Sequence, residues 1–167
     1  SSVMASILKV NTIQDATNSN TAMTIDSSGR ITTPARPMFY ATGPTDTSVS
    51  GVASGNDIVF PNTDFNVGGH YSTSTGKFIA PIAGFYQFHT SVMGDNSAAR
   101  MMIRIHLNGS NHAQGSSSSS SNHYQDSKVS VLMQLSQNDE INVHNAGSKT
   151  TYNIRKYEAY FWGMLVG

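Results

Sequence analysis

The chain has 167 residues, a formal net charge of zero and only 12% charged side chains. A neutral, charge-poor chain has no basic face for a phosphate backbone or an anionic bilayer, which argues against nucleic-acid and membrane-surface binding. Cysteine is absent, so no disulfide holds the fold, and no apolar run approaches the roughly 18 residues of a spanning helix. The length suits one domain with a short appendage, and such a domain buries about two thirds of its unfolded surface. Low charge with abundant Ser, Thr, Asn and Gly fits a β-rich extracellular or virion protein better than a cytosolic enzyme.

Ser1 to Val3 read as an added leader, with Met4 the expected native start. Met4 to Val10 is too short for a signal peptide and lacks its basic start and cleavage site. Ile7 to Ile13 and Ala22 to Ile25 are β-prone pieces joined by polar Asp15 to Asn20. A third piece, Gly29 to Thr32, stops at Pro34. So few apolar residues cannot bury a core alone, so this segment is expected either to be disordered or to order against copies of itself or a particle. Pro34-Ala35-Arg36-Pro37 makes a stiff extended link. It divides an N-terminal extension, 1–36, from a globular head, 37–167.

In the head, Met38 to Ala41 reads as a strand and Thr42 to Asn56 as a polar loop of the length that is functional or mobile. Ile58 to Met93 reads as strand, turn, short strand, turn, long strand. Its turns carry Pro61-Asn62, Gly68-Gly69, Ser74-Thr75-Gly76, Pro81 and Gly84, and Ser74-Thr75-Gly76 predicts a tight hairpin between Tyr71 and Phe78. After a turn at Gly94 to Ala99, Met101, Ile103, Ile105 and Leu107 alternate with Met102, Arg104 and His106, the period-two pattern of a half-buried strand. Asn108 to Asp126 contains six consecutive serines, Ser116 to Ser121, and is expected to be a moving surface loop. Val129, Val131, Met133 and Leu135 alternate again, and Ile141 with Val143 marks the next strand. Asn145 to Thr150 reads as a turn and Thr151 to Ile154 as a short strand. Tyr157 to Val166 is apolar on both faces, as in a strand that is central or that faces a subunit. Sustained helical period is absent, so the chain is expected to be all-β, a sandwich or barrel.

Four motifs, in order, carry a family resemblance. They are Gly69-His70-Tyr71 with Thr75-Gly76-Lys77-Phe78 and Ala80 to Phe88; Leu107-Asn108-Gly109; Leu135 to Ile141; and Tyr160 to Leu165. Together they resemble the signature of the C1q/TNF-like globular head. That resemblance implies a ten-stranded jelly-roll sandwich, homotrimeric about a three-fold axis that the last strand helps to line. Tyr157, Tyr160, Phe161, Trp162 and Met164 are the expected trimer-interface residues. Animal members carry a collagen stalk and often a Cys before the conserved Pro. Here no Gly-X-Y repeat occurs and Ala80 holds the Cys position. At the other end, Met4 to Asp15 resembles the openings of structural proteins from tailed phages, marine ones especially.

Motifs for catalysis are missing. There is no G-x-S-x-G elbow and no P-loop, and His70, His89, His106, His112, His123 and His144 lack the H-E-x-x-H spacing of a metal site. An enzyme is therefore not expected. His70 reads as a structural residue, His89, His106 and His144 as outward strand positions, and His112 and His123 as solvated flanks of the serine run. No cofactor is expected apart from calcium, which some members of the resembled family hold at the trimer apex. Calcium needs several oxygen ligands. By the family's strand order the apical loops, opposite the termini, would be Gly94 to Ala99, Ser136 to Asp139 and Asn153 to Lys156. The metal candidates there are Asp95 and Asp139. Asn138 replaces the Gly of the family's Gly-Asp pair, and Asp139 reads equally as a turn cap.

The expected function is a trimeric virion fibre or appendage protein on the particle surface. Its N-terminal segment would dock to virion structural proteins, and its head would contact a host-surface glycan or protein. The expected contacts are Asp95, Asn96, Ser97, Asn138, Arg155 and Lys156, with His112, His123 and Tyr124 on a lateral loop. The alternatives are a non-catalytic capsid decoration or joint protein, and a secreted C1q-like binding module.

Overall fold

The computed structural model describes residues 6–43, 50–94, 99–148, 151–153 and 156–167. The chain divides into two compact units, Ser1–Arg36 and Pro37–Gly167.

The first unit is an antiparallel three-stranded sheet of β1 (Thr12–Gln14), β2 (Thr21–Ile25) and β3 (Ile31–Thr32). Two aspartates shape its turns. The Asp15 carboxylate accepts the backbone N–H groups of Thr17, Asn18 and Asn20 at 2.7–3.0 Å. Asp26 accepts those of Ser28 and Arg30 and pairs with the Arg30 guanidinium at 2.6 Å. These are local Asx bonds that close a turn without a core. None of the described side chains of this unit is fully buried, and Ile7, Leu8, Ile13 and Ile31 are exposed.

The second unit packs two antiparallel sheets face to face. One contains β4 (Met38–Thr42), β5 (Ser50–Gly51), β7 (Asn62–Val67), β9 (Gly84–Gly94), β12 (Gln125–Leu135), β14 (Thr151–Asn153) and β15 (Tyr160–Leu165). Its central order is β12-β9-β15-β4-β7, and β14 takes over from β15 beside Met93 and Gly94. The other contains β6 (Asp57–Ile58), β8 (Phe78–Ile79), β10 (Arg100–Leu107), β11 (Ser110–Ser118) and β13 (Glu140–Asn145), in the order β11-β10-β13-β6 with β8 also on β13. Among the described residues this unit has twelve strands, where the resemblance implied a ten-stranded jelly roll.

Alternation delivers the core. Phe39, Phe88 and Phe161 from one sheet meet Ile103, Ile105, Ile141 and Val143 from the other, all buried. Phe39 stacks on Tyr71 at 4.7 Å and on Phe78 at 5.2 Å, and meets Phe161 edge-on at 5.0 Å. The hairpin expected between Tyr71 and Phe78 is present: Ser72 N donates to Lys77 O, and Gly76 N to Ser72 O. The buried Tyr71 hydroxyl donates to Phe60 O at 3.0 Å and accepts from Phe60 N at 3.3 Å. Within the Gly69-His70-Tyr71 motif the buried structural role thus falls chiefly to Tyr71.

One expectation is corrected. Asn108 to Asp126 is not wholly a loop, because Ser110–Ser118 forms β11 and pairs along the length of β10. Asn108 and Gly109 both take positive φ, 50° and 78°, the two-residue connection that matches the twist of a hairpin. The first three serines of the run then sit opposite Arg100, Met101 and Met102. Composition misled here because an edge strand is held by backbone hydrogen bonds and needs apolar side chains on neither face.

Candidate functional site

The outward face of the seven-stranded sheet is the most distinctive surface of the head. Strand register places Ser130, His89, Trp162, Tyr40 and Phe65 in one row across β12, β9, β15, β4 and β7. On one side of that row lie Leu132, Gln87, Met164 and Met38. On the other, Tyr160 stands beside Ser91 and Thr42.

The rings of this face form a continuous chain. Phe65 meets Tyr40 at 6.1 Å, Tyr40 stacks on Tyr160 at 5.8 Å, Tyr160 on His89 at 5.7 Å, and His89 on Trp162 at 5.6 Å. A shallow groove of about 150 Å³ runs between Met38, Tyr40, Phe65, Trp162 and Met164. Leu132 is 62% exposed and Phe65 46%. Contiguous apolar surface of this kind marks an interaction site, because leaving it in water costs about 25 cal/mol per Å².

The strand can present this face because its inner side is so tightly filled. At Gly163 a Cβ would come within 2.5 Å of Phe88 Cε1 and 2.9 Å of Phe39 Cε1. The glycine lets two core rings press on the backbone while Trp162 and Met164 turn outward. Polar groups interrupt the face at Ser130, His89, Gln87, Ser91 and Thr42. His89 Nδ1 and the Ser130 hydroxyl share a hydrogen bond of 2.5 Å. Burial, aided by the Lys128 ammonium, holds the His89 pKa below its ordinary value, so the ring is neutral at pH 7. Burial raises the Tyr40 hydroxyl, with Tyr160 and Asp64 adding to it. The lysines at the margin are neutralised, Lys128 by Asp126 at 2.5 Å and Lys156 by Asp64 at 2.9 Å.

The residues picked from the sequence fall in several places. Tyr160, Trp162 and Met164 lie on the aromatic face. Phe161 does not: it is fully buried between Phe39, Phe60, Tyr71 and Phe88, since odd positions of β15 point inward. Tyr157 sits in the turn before β15 and is 86% exposed. Met38, Tyr40, Phe65, His89 and Leu132 belong to the same face and were missed. The signal was present as strand parity, Tyr40 being opposite in phase to the buried Phe39. Locating them needs the pairing register.

The loops expected together at the end opposite the termini are split. Ser136–Asp139 follows the end of β12, where Leu135 pairs with Gly84, beside the bond from Phe85 N to Gly167 O and that from Leu165 N to Pro37 O. It therefore lies at the end that carries both termini of the head. Gly94 and Tyr152 lie at the other end. Family strand order failed because the turn after β12 returns the chain to the base of β9. Asn138 takes φ 72°, which an asparagine adopts more easily than most residues, and so does the work of the family's Gly. The Asp139 carboxylate accepts from Asn108 Nδ2 at 2.9 Å and from Ser136 N at 2.7 Å, and these bonds lower its pKa. Asp139 is a turn cap, and with both oxygens engaged at the wrong end it does not fit an apical calcium set. Asp95, Asn96, Ser97 and Arg155 lie outside the described residues. His112 is exposed on β11, and His123 and Tyr124 are exposed beyond the serine run.

Comparison with known proteins agrees with the geometry. The family model described as the C1q domain matches residues 38–166. The chain is 29% identical over 91 residues to complement C1q tumor necrosis factor-related protein 3 of mouse and of human. That match covers 50% of this chain and 34% of each relative, so the chain spans about a third of their length. Among solved structures, the globular domain of zebrafish complement 1qA superposes with a TM-score of 0.63 at 15% identity, covering 78% of this chain and 98% of that one. Eiger TNF from S. frugiperda superposes with a TM-score of 0.70 at 13% identity, covering 80% and 94%. Murine APRIL gives 0.62 at 12%, covering 78% and 99%. At these identities the superpositions show the fold alone. With the family model matching most of the chain, and β9, β10 and β15 carrying its motifs, the protein belongs to the C1q domain family.

Proposed function

We propose that this protein is a trimeric attachment protein of a virion, with the C1q-like head as the part that contacts a host surface. The single observation that carries the trimer is the aromatic face of the seven-stranded sheet, left partly exposed in one chain. Domains of the C1q/TNF family form homotrimers and are generally non-catalytic binding modules. Three heads joined through Tyr40, Trp162, Met164 and Leu132 would hide that face and display three identical sets of loops. Weak contacts at each set then add through avidity.

The virion assignment rests on the sequence of Met4 to Asp15 and on the small first unit, which has strands but no buried side chain among its described residues. Such a unit gains a core only by docking, here to virion structural proteins at the particle surface. Host contact falls to Asp95, Asn96, Ser97, Arg155 and Lys156, with the exposed His112, His123 and Tyr124 as a second set. Tyr124 is the exposed aromatic there and suits stacking on a sugar ring. Asn138 leaves the contact residues, because its turn lies at the end that carries both termini of the head.

Two measurements test the reading. Antibody labelling of particles in electron microscopy should place the protein on the virion exterior. The purified full chain should bind bacterial cells or a glycan array, and less so after Tyr124→Ala. Blank cell and glycan binding by a protein that does label virions would leave a structural decoration or joint instead. Failure to label any particle, with glycan binding retained, would point to a free C1q-like binding module.

A further inference from the structure

We propose that Asp57, His106 and His144 form a binding site for zinc on the outward face of the five-stranded sheet. These residues come from three strands, β6, β10 and β13, and one ligand atom from each lies within 4.8 Å of the others. The closest pair, His144 Nδ1 and Asp57 Oδ1, is at 2.8 Å. The His106 and His144 rings are 4.1 Å apart and nearly parallel. Ligand atoms around a tetrahedral zinc, each about 2.0–2.1 Å from the ion, sit roughly 3.4 Å from one another. Asp57 and His144 are the less buried members and would turn to meet that spacing.

Two further features point to a ligand. His106 is only 7% exposed, yet its Nε2 has no hydrogen-bond partner. Asn142, directly opposite His106 on β13, is 3% exposed, and its amide nitrogen is also without one. Buried polar atoms are almost always paired, and these two exceptions lie beside a carboxylate and a second imidazole. A bound ion accounts for both: His106 Nε2 becomes a ligand, and a water on the ion accepts from Asn142. The β10–β11 register slips between Ile105 and His106, and such bulges re-aim side chains.

The chemistry selects the ion. Two imidazoles and one carboxylate suit zinc and its neighbours, not calcium or magnesium, which take oxygen shells. Three protein ligands leave one coordination position open to water or to a donor atom from a partner. Because the site faces away from the aromatic sheet, it stays accessible whether or not that sheet is covered.

The test uses the full chain, stripped with a chelator and titrated with zinc chloride at pH 7.5 by calorimetry. One zinc should bind per chain, and cobalt(II) should give the visible d–d absorption of a four-coordinate site. Asp57→Asn and His144→Gln should each weaken binding by about tenfold or more with circular dichroism unchanged. The double variant His112→Gln/His123→Gln should bind as the parent does. The proposal is overturned by a lack of saturable zinc binding. It is equally overturned if Asp57→Asn and His144→Gln leave the affinity unaltered, or if the loop histidines abolish it.

Discussion

Gly163→Ala is the sharpest perturbation of the packing that supports the aromatic face. Its new methyl would lie 2.5 Å from Phe88 Cε1 and 2.9 Å from Phe39 Cε1, where carbon atoms prefer about 3.5–4.0 Å. Neither ring is free to retreat. Phe88 is held by Phe78 at 5.4 Å and Phe161 at 6.0 Å, and Phe39 by Tyr71, Phe78 and Phe161. The overlap of about 1 Å must be absorbed by off-rotamer rings or by displacement of β15, which costs about 1–3 kcal/mol. For a head of this size that lowers the melting temperature by roughly 3–10 °C. Thermal denaturation followed by circular dichroism reads it. Gly167→Ala, which has nothing near its Cβ, is the neutral control. Adding Phe88→Leu to Gly163→Ala should cost less than the sum of the two single changes, because the leucine vacates the space that the methyl needs. A Gly163→Ala protein that melts within 1 °C of the parent would refute the packing argument.

Three other outcomes follow from the same structure. Tyr71→Phe removes a buried hydroxyl that serves both Phe60 N and Phe60 O, and should cost about 1–3 kcal/mol in urea denaturation. Acidification should destabilise the head through His89, which is held below its ordinary value of 6.5 by burial and by Lys128. The unfolded chain then binds the proton more readily, so this contribution is complete above about pH 6.5 and is lost as pH falls below it. Melting at pH 5.5 against pH 7.5 should show a smaller loss for His89→Gln than for the parent. Trp162→Glu, which places a charge amid Tyr40, His89 and Met164, should yield folded monomers by light scattering with an unchanged circular dichroism spectrum.

Much of the fold is legible in the sequence, because alternation in β10 and β12 names the inward residues directly. Ile103, Val129 and Met133 are where period two puts them. Three features needed pairing information. β11 is not legible because serines carry no apolar signal, and the positive φ of Asn108 and Gly109 that closes its hairpin is seen only in the structure. The face built by Tyr40, Phe65, His89 and Trp162 draws on strands far apart in sequence, so parity alone could not collect its members. The same holds for Asp57, His106 and His144. His106 and His144 read as separate outward strand positions, and only the β10–β13 and β13–β6 registers set them beside Asp57. Phe161 shows the reverse error, for an aromatic strand reads as two-sided even when one side belongs entirely to the core.

The molar mass of the purified chain in solution, by light scattering at micromolar concentration, bears most directly on the account. Assembly through the aromatic sheet predicts three times the 17.9 kDa of one chain, falling to one chain on Trp162→Glu. A parent protein that runs as a stable monomer would mean that the exposed face of Phe65, Trp162 and Leu132 does not join sister chains.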